Sequence, residues 1–343
     1  MRAFITGLSG AILTAAERHF VQEADPWGLI LFKRNVTTPD ALRRLIGEFR
    51  AAVGRQAPVL IDQEGGRVQR LGPPHWPAYP PGAVYGAAFD RDPGDGLMAA
   101  RLGARLIAND LAQLGIDVDC APVADVPAAG SDPVIGDRAY GADPPKIAAL
   151  AGAFATGLME GGVLPVLKHL PGHGRAVADS HKRLPVVTVD RATLEATDFA
   201  AFRPLSGLPL GMTAHVVFTA IDPVAPATTS ANIVKHVIRD SIGFTGLLMS
   251  DDISMGALSG SLSERSRAAI VAGCDVVLHC NGDLSEMVEV AAQAPVLAGE
   301  AARRAGAALA ARKSPAPLDA DASRAALAKL LNDFRPEAGS HEA

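Results

Sequence analysis

The stretch LPVLKHLPGHGRAVADSH, residues 164–181, joins a short apolar run to a loop crowded with titratable groups. Leu164 to Leu167 reads as a buried strand, because four apolar residues are too few for a helix. Lys168 and His169 follow at once, and Pro171, Gly172 and Gly174 break any helical continuation. His173, Arg175, Asp179 and His181 then crowd onto the same loop. The fold turns on whether this pattern, a buried run opening into polar groups, recurs along the chain.

It does recur. Eight short apolar runs occur in order: AFIT (3–6), GLILF (28–32), PVLI (58–61), IDVDCA (116–121), LPVL (164–167), LGMTA (210–214), GLLM (246–249) and DVVLHC (275–280). Between most of them lie helical patterns such as TPDALRRLIGEFRAAVG (38–54) and DGLMAARLGARLIANDLAQLG (95–115). In the second, Leu97, Leu102, Leu106 and Leu111 recur at about helical spacing. Short buried strands alternating with amphipathic helices imply parallel βαβ units. Eight such units predict a single (β/α)8 TIM-type barrel, with a doubly wound open sheet as the rival topology. Two long connections rich in Pro and Gly, 71–95 and 122–143, follow strands and are expected as functional rim loops.

The catalytic barrel is expected over residues 1–311. Residues 312–343 read as a linker, RKSPAPLDADAS, a final helix over 323–334, and a disordered tail from Pro336. Met1-Arg2 followed by AFITGLSGAILTAA has the outline of a short signal peptide. The barrel count favours a first strand from Ala3 to Thr6, a Gly turn, and a helix starting near Leu13. No other apolar run approaches the roughly 18 residues of a membrane span.

The 343 residues are 48% hydrophobic, enough for a large core, and carry a net charge of −5. The sequence pI of about 6.0 gives no support for a nucleic-acid or polybasic membrane role. Cys120, Cys274 and Cys280 are odd in number and lack CxxC spacing, which argues against a disulfide framework and a thiolate zinc site and fits a reduced cytosol.

In such a barrel, chemistry gathers where strands end at the C-terminal face. PVLI ends in Asp62, LPVL in Lys168-His169, LGMTA in His215, and GLLM in Ser250-Asp251-Asp252. Four of the eight runs thus deliver titratable groups to one rim, predicting a single polar pocket without a Gly-rich phosphate cradle. Asp179 and His181, two apart in an extended chain, point the same way. A carboxylate beside an imidazole fixes its tautomer and favours its protonated form, making a general acid whose deprotonated form is the base for the return step. Asp251, at the tip of a buried strand, can be held rigidly as a nucleophile must be, whereas Asp252 is expected to serve the following turn.

Together, KHLPGHGRAVADSH (168–181), IDQEGGRVQR (61–70), IGDR (135–138) and GFTGLLMSDD (243–252) resemble the family-three glycoside hydrolases, in particular the single-domain bacterial β-N-acetylhexosaminidases of cell-wall recycling. The resemblance runs from the first strand to about residue 310. It implies Asp251 as nucleophile, His181 as acid/base and Asp179 as its partner. It further implies Asp62, Arg70, Arg138, Lys168 and His169 as sugar-binding residues, and a mobile loop carrying the His–Asp pair. His173 and Arg175 lie on that loop and are candidates to reach the substrate. The implied reaction is a retaining, two-step cleavage of N-acetylglucosamine β-linked to anhydro-N-acetylmuramic acid, with or without a peptide. The implied setting is a cytoplasmic monomer with no cofactor, metal, nucleic-acid or membrane partner. Leu170 stands where many relatives carry an aromatic residue, and Ala139-Tyr140 where Ser-Phe is common.

Other readings stay open. A β-glucosidase of the same family would share most motifs. A metal-dependent barrel hydrolase would use His169, His173, His215 and Asp251 as ligands, but the first strand ends in TGLSG and supplies no H-x-H. A substrate-assisted hexosaminidase would need an adjacent Asp-Glu pair, absent from this chain. A silent sugar-binding barrel would keep Asp62 and Arg138 without needing Asp251 or His181. His19, His75, His236, His279 and His341 read as structural or solvated.

Overall fold

All eight apolar runs become parallel strands: β1 Arg2–Thr6, β2 Pro26–Leu31, β3 Val59–Ile61, β4 Val118–Asp119, β5 Leu164–Leu170, β6 Leu210–Thr213, β7 Leu247–Asp252 and β8 Val276–His279. The computed structural model describes residues 1–332. β1 pairs with β2 on one side and with β8 on the other, through Phe4–Val277, Ile5–Leu278 and Thr6–His279. That last pairing closes the sheet into a barrel, so the open-sheet rival is excluded. Within the opening segment that has the outline of a signal peptide, Arg2–Thr6 forms the first barrel strand and a helix starts at Ala15 behind the Thr14 cap.

The strands show a period of two. Ile5, Leu60, Val118, Leu164, Val166, Leu247, Met249, Val276 and Leu278 belong to one buried cluster that fills the lumen. Their alternates, among them Phe4, Ile61, Leu167, Leu248 and Val277, join a second cluster with helix residues such as Leu45, Phe49, Leu106 and Phe154. The helix Pro39–Val53 shows how the outer layer forms. Thr38 caps its first turn, Pro39 opens it, and Gly54 ends it at a φ of 69°. Leu42, Leu45, Ile46 and Phe49 then make one apolar stripe against the strands.

The helix Gly299–Ala310 covers the N-terminal end of the barrel, where Ala305 and Ala308 join the lumen cluster. Arg304 lies 2.9 Å from Asp275, and Arg312 pairs with Asp117; both aspartates directly precede strands. The last helix runs Ala320–Leu330, starting three residues before expectation because Asp319 supplies the cap. Its Leu327, with Leu331 beyond it, is buried in the outer cluster. Residues 333 and 334 of the expected helix, and the tail from Pro336, lie outside the described residues.

Two expectations change. The connection 71–95 contains a helix, Gly82–Arg91, held close to the next rim loop. A side chain at Gly86 would put its Cβ 1.9 Å from the Tyr140 carbonyl oxygen. β5 and β7 also run past their apolar residues into Leu170 and Asp252, because ladder bonding depends on backbone pairing and not on side-chain polarity.

Leu247 is fully buried in the lumen layer beneath Asp251. Leu247→Ala is expected to lower unfolding free energy by about 2–5 kcal/mol, read from urea unfolding midpoints. A loss under about 1 kcal/mol would contradict the lumen packing described here.

Candidate active site

The inward positions of β5 read Leu164, Val166, Lys168, and those of β7 read Leu247, Met249, Asp251. Period two therefore places Lys168 and Asp251 as the next layer above an apolar lumen. Asp62, directly after β3, enters the same layer. A cavity of about 1050 Å³ opens there, lined by Asp62, Arg70, Arg138, Lys168, His169, Asp179, His181 and Asp251 among others. The eight residues to which the resemblance assigns roles thus face one space.

A buried charge network forms its floor. Lys168 Nζ lies 3.0 Å from Asp62 and 2.6 Å from Glu64, with its side chain only 2% exposed. Arg70 donates to the other Asp62 oxygen at 3.0 Å. Arg138 grips Glu64 with two bonds of 2.8 and 2.7 Å. Burial opposes charge on Asp62, yet Lys168 and Arg70 outweigh it and hold the carboxyl well below its usual range. Burial likewise opposes Glu64, which Arg138 and Lys168 keep at about 2. Lys168 is disfavoured by burial but held charged by the two carboxylates.

Asp251 is fixed by its strand and by the N–H of Asp252, which donates to it at 2.8 Å. Burial raises its proton affinity, and His215, His169, the Asp252 N–H and His181 together more than offset this, so it stays below the ordinary aspartate range. Asp252 takes the expected turn role, accepting from the Ser254 N–H at 3.1 Å and its hydroxyl at 2.6 Å.

On the loop, His181 Nδ1 lies 2.8 Å from Asp179 Oδ1, and the His181 backbone N–H donates to the same oxygen at 2.9 Å. The pair therefore meets in a turn closed on Asp179, not in the extended chain expected from its spacing. The loop is strapped on both sides. The Ala257 N–H donates to Ser180 O at 3.1 Å, and the Asp132 N–H to Ala176 O at 2.8 Å. Gly174 permits close approach: a Cβ there would stand 2.2 Å from the Val126 carbonyl oxygen.

A match to the model of the glycosyl hydrolase family 3 N-terminal domain spans residues 2–305. A β-hexosaminidase of Alkalilimnicola ehrlichii is 42% identical over 283 residues, covering 80% of this chain and 79% of that one. This chain is a family-three glycoside hydrolase. A β-hexosaminidase of Xanthomonas euvesicatoria is 36% identical over 293 residues, covering 82% and 84%. Among solved structures, NagZ from Neisseria gonorrhoeae in complex with N-trifluoroacetyl-D-glucosamine is 32% identical, with a TM-score of 0.84 over 96% of this chain and 97% of that one. The gonococcal protein has also been solved in complex with zinc ion.

Two readings of this hydrolase change, those of His215 and Arg175. His215 does not join the cavity lining: it is buried, bonded to Thr228 at 2.7 Å and to the Asp252 carbonyl at 2.9 Å, bracing the end of β7 from behind. Arg175 turns away from the cavity to Asp198 at 2.5 Å and Thr197 at 2.8 Å. His173 does line the cavity but is almost fully buried, its Nε2 bonded to Ser180 at 3.0 Å. Among the described residues no group of three or more His, Cys, Asp or Glu has metal-holding geometry, and no helix is long and apolar enough to cross a membrane.

Glu64 and Asp125 were missed from the sequence. Glu64 sits two residues after Asp62 in extended chain, the spacing that places two acids on one face. Asp125 interrupts the apolar stretch CAPVADVP (120–127), and a buried lone carboxylate must find partners.

Burial, then the neighbouring His169, lowers the His173 pKa to about 4. The unfolded chain, with an ordinary histidine, binds this proton more readily, so stability is full above about pH 6.5 and falls on acidification toward pH 4. His173→Gln is expected to flatten the pH dependence of unfolding free energy between pH 7 and 5 by about 2 kcal/mol. Parallel curves for wild type and variant would refute the neutral, buried assignment.

Proposed function

We propose that this family-three hydrolase is a retaining exo-β-N-acetylglucosaminidase that removes terminal N-acetylglucosamine from muropeptides. One observation carries the reading: Asp251 and the His181–Asp179 pair line the same cavity as Asp62, Arg70, Arg138 and Lys168 of the charged floor, with the His169 ring beside them. The floor would hold sugar hydroxyls while Asp251 attacks the anomeric carbon. Asp179, kept ionised against burial by the His181 groups, accepts a hydrogen bond from Nδ1–H, which leaves Nε2 as the atom that exchanges a proton with substrate. His181 would protonate the leaving oxygen as the glycosidic bond breaks, giving a glycosyl–Asp251 ester. Water, deprotonated by the same imidazole, would then release the sugar. Most retaining glycosidases use two carboxyl groups, and here a His–Asp pair replaces one of them.

The substrate in this reading is N-acetylglucosamine β-linked to anhydro-N-acetylmuramic acid, with or without its peptide. The setting is peptidoglycan recycling in the cytoplasm by a monomer without metal or cofactor. The β-hexosaminidase relatives and the N-acylglucosamine held by gonococcal NagZ favour an acetamido sugar over plain glucose.

Nitrophenol should be released rapidly from the β-N-acetylglucosaminide and slowly from the β-glucoside; the reverse order would favour a β-glucosidase. Asp251→Ala should remove nearly all turnover, and His181→Ala should cost roughly 10²–10⁴ in rate. Equal, small losses in both would refute the assigned roles.

A 2-fluoro sugar is expected to leave a covalent adduct on Asp251 by peptide mass spectrometry. Chelator treatment should leave the rate unchanged. A loss restored by zinc would turn the argument toward a metal-dependent hydrolase.

A further inference from the structure

One carboxylate outside the cavity holds two parts of its wall. Asp125 lies in the loop after β4 and is fully buried. Its Oδ1 accepts the backbone N–H of His173 at 2.6 Å and that of His169 at 3.3 Å. Its Oδ2 lies 2.6 Å from His169 Nδ1. Burial disfavours the charge, but His169 and the His173 N–H hold Asp125 below the usual carboxylate range. An ionised carboxylate offers only acceptors, so the hydrogen in the contact with His169 must sit on Nδ1. Among the described residues the His169 ring bonds to protein through Nδ1 alone, and this imidazole lines the cavity with Nε2 left for a ligand. His173, the second group held, bonds through its ring to Ser180, the neighbour of both Asp179 and His181.

We propose that Asp125 is a positioning residue for the glycosidase reaction. It fixes His169 in the tautomer whose bare Nε2 accepts a hydroxyl hydrogen from the sugar, and it anchors the base of the loop that carries His181. The kinetic consequence rests on the function proposed above; the tautomer does not. The arrangement parallels metal sites, where the carboxylate behind a ligating histidine sets which ring nitrogen faces the ligand.

The test is ¹⁵N NMR of the imidazole rings at about pH 8.5, above the ordinary histidine range. Wild-type His169 is expected to carry its proton on Nδ1. Asp125→Asn keeps one carbonyl oxygen for the two backbone N–H groups but turns an N–H donor toward the ring, so the proton should move to Nε2. KM for the nitrophenyl N-acetylglucosaminide should then rise about tenfold or more, with a smaller fall in kcat. In a His169→Ala background the same change should leave KM unaltered. A wild-type proton on Nε2 would overturn the proposal, whether or not the variant folds. An undiminished KM effect in the absence of His169 would overturn it as well. Failure of wild type to release nitrophenol would sink the glycosidase reading instead, and the ring spectrum would still decide for or against Asp125.

Discussion

A lysine ammonium buried between two carboxylates holds the mouth of this barrel together. Lys168 leaves β5 pointing into the lumen, where an unpaired charge would be prohibitively unfavourable, and Asp62 and Glu64 meet it from the segment after β3. Removing one member of such a buried set typically costs about 3–5 kcal/mol, because a partner is left charged without compensation. Each carboxylate also reaches a second cation, Asp62 to Arg70 and Glu64 to Arg138, so the network ties β3, β5 and the rim loop after β4 into one rigid floor. A floor whose charges are already paired and fixed needs little rearrangement when a sugar arrives, which is the physical content of a preorganised site.

The floor is continuous with the hydrophobic core. Along β5 and β7 the same two-residue period that fills the lumen with Leu164, Val166, Leu247 and Met249 delivers Lys168 and Asp251 one step higher. The cavity is thus the last layer of the barrel interior, made polar. Asp251 inherits the rigidity of a strand packed on both faces, and His215 braces that strand through the Asp252 carbonyl. His181, by contrast, stands on a turn and is well exposed. One partner is held by the core and the other by a handful of loop contacts.

The glycines in KHLPGHGRAVADSH break helical continuation, and one of them also serves packing. Gly174 is required for close approach to the Val126 carbonyl, and Arg175 sends its guanidinium back to the buried Asp198. The segment from His173 to Ala176 is therefore tied to the loop after β4 and to the helix that starts at Asp198. The turn bearing Asp179 and His181 projects from this anchored base.

Much of the fold was legible because it rests on local rules. Buried strands and the polar residues that end them are written in runs of four to six residues, and the eight runs with the helical patterns between them predicted the barrel, which the pairing of the first and last strands closes. Asp62, Lys168, His169 and Asp251 were legible for the same reason, each lying at a strand tip, and Asp179 and His181 lie in one dense polar motif, whereas Arg70 and Arg138 were named through the family resemblance. The partnerships were not legible. Glu64 as the bridge between Lys168 and Arg138, Asp125 behind His169, and the withdrawal of His215 and Arg175 from the cavity all depend on residues far apart in the chain. Sequence by itself determined that Asp62, Lys168 and Asp251 arrive at the barrel mouth, because side-chain direction along a strand follows from local geometry. Only the closed tertiary structure decided which of them pair, because burial makes an unpartnered charge or imidazole so unfavourable that each must find whatever group the packing brings within hydrogen-bond reach.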